Sequence, residues 1–307
     1  MRSLEEVNPH TSRERVRLSI GHREPDRVPR GEIIIDNTLI AKALKVPRVG
    51  FEEKSAFVNR LGLDLFCIHP DYPTTLRSVP EPEGLYWPHL EEWTGKTGLF
   101  IFGVLDGPFG WGVRSLGFKE FFMLPQRSPD VVSEFVRHVE GLNREWIRRL
   151  ADGGVDGVII ADDIAYSRGL MAGPEILRNF FFPSLERMAE EADLQGLSAF
   201  FHSDGNTLDI IPNLVKMGFR GLHCIDPKSG MDIQATKEHW GKELCLWGSL
   251  APEDLPPPGD SIFINRLKGA MEKLGVGGGF ILGTTSGLFP GIDWEALERL
   301  KEGLSEA

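Results

Sequence analysis

Residues able to do chemistry are densest in Ser198-Ala-Phe-Phe-His-Ser-Asp-Gly-Asn206. An apolar run that reads as a buried strand leads directly into an imidazole, a carboxylate and an amide (His202, Asp204 and Asn206), with Gly205 free to turn the backbone. Side chains alternate along a strand, so residues two apart share a face. If the strand runs on to Asp204, His202 and Asp204 project together from its carboxyl end, where parallel α/β proteins place their chemistry. The plainer alternative is a core histidine followed by an aspartate that caps the next helix.

The same pattern recurs. Arg30 to Asp36 forms a first run whose Ile33-Ile-Ile35 is apolar on both faces, as a strand covered on both sides requires. Leu63 to Ile68 ends in His69-Pro-Asp71, Leu99 to Leu105 in Asp106-Gly107, and Val155 to Ala161 in Asp162-Asp163. The stretch from Ser198 is the fifth. Gly221 to Ile225 carries His223 and Cys224 and ends in Asp226-Pro227; alternation predicts that only one of that pair faces the interior. Leu244 to Trp247 ends in Gly248-Ser249, and Phe280 to Leu282 in Gly283-Thr-Thr-Ser-Gly287, a turn whose N–H groups could hold a phosphate.

Helical patterns separate these runs. Thr11 or Ser12 caps a short helix holding Val16 and Ile20. Ser128-Pro129 opens a longer one, with Val132, Val136, Val139, Trp146 and Leu150 on one face, and Gly153-Gly154 stops it. Gly173-Pro174 opens another, and 208–217, 231–240, 262–274 and 293–304 are further candidates. Eight strands with helical crossovers predict a single (β/α)8 barrel over residues 1–307, with an open doubly wound sheet as the alternative. Residues 72–97 do not fit a minimal barrel. Proline-rich and aromatic without helical period, they read as an excursion between strands two and three that shapes the substrate pocket, with Trp87, Trp93, Phe109 and Trp111 as apolar walls.

Six predicted strand ends carry acids: Asp36, Asp71, Asp106, Asp162 with Asp163, Asp204 and Asp226. Carboxylates converging on one mouth repel one another unless a metal, a cation or a donor-rich ligand sits among them. The net charge of −11 argues against nucleic-acid and membrane-surface partners. No signal peptide or membrane span is evident, and Cys67, Cys224 and Cys245 without a CxxC pair suggest a reducing, cytoplasmic setting.

Taken in order, Arg13-Glu-Arg-Val, His22-Arg-Glu-Pro-Asp-Arg-Val-Pro29, Ala161-Asp-Asp163, Phe201-His-Ser-Asp-Gly-Asn206, Asp226-Pro-Lys-Ser-Gly-Met-Asp232 and Gly248-Ser249 resemble the uroporphyrinogen decarboxylase superfamily, from the amino terminus to about Trp294. The resemblance implies one barrel and one of two activities: porphyrinogen decarboxylation, or methyl transfer to or from a corrinoid protein, often with zinc. The decarboxylases carry Arg-Gln-Ala-Gly-Arg-Tyr after the first strand, where this chain has Ile35-Asp-Asn-Thr-Leu-Ile40 without arginine. The thiol-methylating branch carries His-x-Cys and a later Cys; here His202 is kept, Asp204 takes the cysteine position and Thr285-Ser286 the later one.

The reading that follows is a methyltransferase moving a methyl group from a small donor, a methoxylated aromatic or a methylamine, to a corrinoid partner protein. Zinc is expected on His202, His223 and Asp226. Asp162, Asp163, Tyr166 and Asp204 are the expected catalytic groups, and Asp36, Asp106, Trp111 and Asn206 the expected substrate contacts. The family resemblance suggests a homodimer. The alternatives are a metal-free lyase or decarboxylase acting on a small substrate, and a non-catalytic binding barrel.

Overall fold

A computed structural model describes residues 10–73, 75–255 and 260–305, so the ends of the expected 1–307 domain lie outside the described residues. The strands are β1 (Leu65–Ile68), β2 (Phe100–Asp106), β3 (Gly157–Ala161), β4 (Ala165–Tyr166), β5 (Gly169–Leu170), β6 (Ser198–His202), β7 (Gly221–Ile225), β8 (Cys245–Leu250) and β9 (Phe280–Thr284). Seven of them form one curled parallel sheet in the order β1-β2-β3-β6-β7-β8-β9, and β4 pairs antiparallel with β5 as a separate hairpin. Seven of the eight expected runs are thus strands.

The exception is Arg30 to Asp36. It makes only isolated parallel bridges, Arg30 to Leu282 and Ile35 to Leu288, while the Asp64 N–H donates to the Arg30 carbonyl at 2.7 Å. The segment therefore lies between β9 and β1 without becoming a strand, and the described residues form a seven-stranded, barrel-like sheet in place of eight strands. Side chains compete for its backbone groups: the Arg30 N–H donates to the Asp64 carboxylate at 2.9 Å, and the Ile33 carbonyl lies 2.7 Å from Nε2 of His69.

Strand alternation divides the core in two. Leu65, Cys67, Phe100, Phe102, Val104, Ile159, Phe200, Trp247 and Ile281 pack together on the inner face of the sheet, joined by Val16 and Ile20 of the helix Ser12–Ile20. Ile101, Leu105, Val158, Ile160, Phe201 and Leu222 lie on the other side, against helices such as Pro129–Asp152. The amino-terminal helix starts with a capping box between Thr11 and Glu14. Its Arg15, 2% exposed, binds Asp64 and Asp26, each at 2.6 Å, and Arg17 binds Asp156 at 2.7 Å. The arginine-rich segments of the family-like amino terminus thus sit at the amino-terminal ends of the strands, opposite the mouth.

The excursion contains a short helix, Leu90–Lys96, that the sequence pattern hides. Seven residues make too few turns for a 3.6-residue period to show. Its Trp93 stacks on Phe66 at 3.8 Å, and the Trp87 indole donates to the Val104 carbonyl at 3.1 Å. Both are core side chains rather than walls of the mouth. The helix from Pro174 passes through a π turn at Leu177–Phe181 before continuing as Phe182–Leu194.

Candidate active site

Inner-face parity decides what reaches the mouth. On β6 the inner positions run Phe200, His202 and then Asp204; on β3 they run Ile159, Ala161 and then Asp163; on β2 Val104 precedes Asp106, and on β1 Cys67 precedes His69. One oxygen of Asp163, one ring nitrogen of His202 and one oxygen of Asp204 lie within 4.8 Å of one another. Asp163 and Asp204 border a cavity of about 420 Å³ whose lining also includes Tyr166, Met171, Cys224, Asp226, Thr285 and Ser286.

Backbone and second-layer contacts hold this cluster. The Asp204 N–H donates to Oδ1 of Asp163 at 2.8 Å. Ser203 Oγ accepts from the Ile164 N–H at 3.1 Å and donates to the Asp204 carbonyl at 2.9 Å, tying the β3–β4 connection to the end of β6. Gly205 has φ +87°, and a Cβ there would approach the Tyr166 backbone to 2.5 Å, so the β4–β5 hairpin sits directly on it. The Asn206 N–H completes this seat, donating to the Tyr166 carbonyl at 2.9 Å.

The two histidines fix each other. His223 Nε2 is 3.2 Å from the Thr284 carbonyl, which can only accept, so Nε2 carries the proton. Burial holds His223 well below the usual histidine range and therefore neutral, which makes its Nδ1 an acceptor. His202 Nδ1, 2.8 Å away, must then donate to it. The lone pair of His202 is left on Nε2, the tautomer a metal ligand needs.

Asp204 is held above the ordinary carboxylate range, chiefly by desolvation, with the Asp163 and Asp226 charges adding to it and His202 and the Cys224 thiol opposing. Cys224 Sγ is 3.7 Å from Oδ1 of Asp204; burial and the neighbouring carboxylates push its thiol far up, so it stays protonated. Both His223 and Cys224 therefore reach the site. Alternation fails because the pairing of β7 with β8 shifts register between Leu222 and Ile225.

Other expected residues are placed differently. Asp162 has the outer parity of Ile160: its carboxylate accepts from the Gly110 N–H at 2.7 Å and the Phe109 N–H at 3.3 Å, capping the helix Pro108–Leu116, and burial raises it to about 8. His223 supports His202 instead of joining the convergent donors. Asp226 lines the cavity, but its oxygens accept from the Lys228 N–H at 2.9 Å and the Ser229 hydroxyl at 2.6 Å. Asp36 caps the helix Asn37–Leu44. Asp71 accepts from the Tyr86 hydroxyl at 2.6 Å and belongs to the excursion. Asp106 is bound by the Tyr72 hydroxyl and by Arg114 at 3.1 Å. Trp111 lies under that guanidinium, 4.7 Å from ring centroid to carbon, and is 1% exposed. The Asn206 amide donates to the Ser229 carbonyl and accepts from the Leu208 N–H, bracing the loop. In the Gly283–Gly287 turn, the N–H groups of Thr284, Thr285 and Gly287 all have acceptors within the chain, which removes the phosphate cradle.

Sequence reasoning passed over His69, although its i+2 relation to Cys67 signals it. It also passed over Met171 and Ser203, for which the sequence carries no such signal.

The fold and site define a parallel α/β scaffold carrying a nitrogen-and-oxygen donor set at the carboxyl ends of its strands. The family model for uroporphyrinogen decarboxylase (URO-D) matches residues 95–306, and the chain belongs to that family. Among solved structures, a methyltransferase from Methanosarcina mazei superimposes with a TM-score of 0.75 at 16% identity, covering 96% of this chain and 98% of the other. A 3-keto-D-glucoside 4-epimerase from E. coli does so with a TM-score of 0.51 at 14% identity, over 91% and 98%. At these identities the likeness is one of fold. No curated protein matches the chain.

Proposed function

We propose that this chain is a methyltransferase that moves a methyl group from a small donor to a corrinoid partner protein. The convergence of Asp163, His202 and Asp204 on one point carries the reading. Three N/O donors with the His202 tautomer fixed by His223 suit zinc with an open position. Bound there, the metal would polarise the heteroatom that bears the methyl group. Asp163 and Asp204 hold the donor's heteroatom end at the cavity floor, and Met171 offers it an apolar wall. Tyr166, which lines the cavity, would give a proton to the leaving oxygen or nitrogen. The similarity in fold to a methanogen methyltransferase supports this branch of the family over decarboxylation.

The test is methyl transfer itself. The protein is mixed with cob(I)alamin and O-methyl or N-methyl donors, and the corrinoid spectrum is followed. The reading predicts donor-dependent methylation that falls at least about 100-fold in His202→Ala. Full transfer in that variant sinks the assignment. Zinc-independent release of carbon dioxide from a small acid would support the lyase instead.

A further inference from the structure

A second cavity, of about 280 Å³, opens at the carboxyl end of β1, and the methyl-transfer reading leaves it unused. His69 lies in its lining, the stacked pair Phe66 and Trp93 forms an apolar wall, and Lys54 reaches it from the helix Phe51–Leu61.

Lys54 sets the chemistry. It is half-buried, and desolvation works against its charge; Asp71 is the one acid that favours it. It makes no ion pair among the described residues, whereas Arg114, comparably exposed at the mouth, is matched by Asp106 at 3.1 Å. Asp36 shares the cavity but turns its Oδ1 onto the Thr38 N–H at 2.6 Å, the start of its own helix. An unmatched ammonium on the wall of a half-apolar cavity fits an organic anion: the charge is met and the carbon skeleton is covered. His69 follows β1 at its carboxyl end, near enough to Lys54, His202 and Asp106 for their charges to act on it.

We propose that this cavity binds the carboxylate of a small organic acid, with Lys54 supplying the charge and Trp93 and Phe66 the apolar face. This deepens the methyl-transfer reading by making one reactant a carboxylic acid, and it rests on that reading only for the word reactant.

Binding can be tested without turnover. Benzoate and its uncharged analogue benzamide are titrated calorimetrically into the metal-free full chain. One saturable benzoate site is expected, with benzamide roughly tenfold weaker or worse, as loss of a charge-assisted hydrogen bond requires. Lys54→Met should weaken benzoate by a similar factor and leave benzamide unchanged, Lys54→Arg should keep most of the affinity, and His202→Ala should bind benzoate like the wild type. Thermal melts confirm that each variant is folded. Equal affinity for the two probes, unchanged benzoate binding in Lys54→Met, or its loss in His202→Ala would each overturn the proposal. Because His202→Ala disables methyl transfer and not benzoate binding, failure of one reading is distinguishable from failure of the other.

Discussion

The two ends of the sheet treat carboxylates in opposite ways. At the amino-terminal end Asp64, fully buried, receives Arg15 at 2.6 Å and Arg27 at 2.7 Å, and Asp156 receives Arg17 at 2.7 Å and Arg13 at 3.3 Å. At the carboxyl end Asp106 is matched by Arg114, but Asp163, Asp204 and Asp226 have no ion-pair partner among the described residues; the nearby Lys228 is turned away to Glu253. Identical side chains are thus structural where arginines settle their charge, and available for binding where nothing does. Glu32 is a third case. Buried and with no ion-pair partner among the described residues, it accepts from the Thr284 N–H at 3.2 Å and from the Thr284 hydroxyl and is raised by burial to about 8, so a proton settles it.

Breaking the compensated end should have the largest effect. Asp64→Ala takes one of its two carboxylates from Arg15, which is 2% exposed and keeps Asp26, and removes the carboxylate paired with Arg27; it should cost about 3 kcal/mol in urea denaturation. A loss under about 1 kcal/mol would mean that the arginine network is dispensable.

The proton-settled case gives a pH signature. The folded value of Glu32, about 8, lies above its unfolded value of about 4.3. The folded state therefore holds a proton that the unfolded state releases. The contribution is complete below about pH 4 and is lost as pH rises through about 8, with a slope of at most about 1.4 kcal/mol per pH unit. Glu32→Gln should flatten denaturation stability across that window; an unchanged slope would show that Glu32 is ionised in the fold.

At the mouth the comparison is sharpened through His223. His223→Phe leaves all three convergent donors in place and removes the acceptor that sets the His202 tautomer. Zinc affinity should fall by about 10–100-fold while thermal stability without metal changes little. The smallest effect is expected from Asp204→Asn in the metal-free protein. An uncompensated carboxylate contributes no attraction to lose, so stability should stay within about 1 kcal/mol of wild type or rise. A marked loss would show that Asp204 is structural, like Asp64.

Much of this architecture was legible because the physics is local. Apolar runs of three to seven residues located seven strands, five of them ending in acids, and the capping residues located the longer helices. Arg30–Asp36 misled because its apolar core is the same as a strand's, whereas its backbone partners, Asp64 and His69, are tens of residues away in the chain. Within the site, Asp162 and Asp163 were separable in principle. Counting by twos from Ile159 puts Asp163 inside and Asp162 outside, and the structure follows that parity. The positions of His223 and Cys224 were not separable, because a register shift between β7 and β8 leaves no mark in either strand's own sequence. Lys54 was hidden for a different reason: on a helix surface one lysine looks like another, and only the cavity beside it makes it distinctive.

The central claim is that uncompensated mouth carboxylates and His202 form a metal site. It is tested most directly by calorimetric zinc titration of the metal-free chain alongside His202→Ala and Asp204→Asn. One zinc per wild-type chain, lost in both variants, is the predicted result. No zinc uptake by the wild type, or uptake unchanged in His202→Ala, would contradict the account.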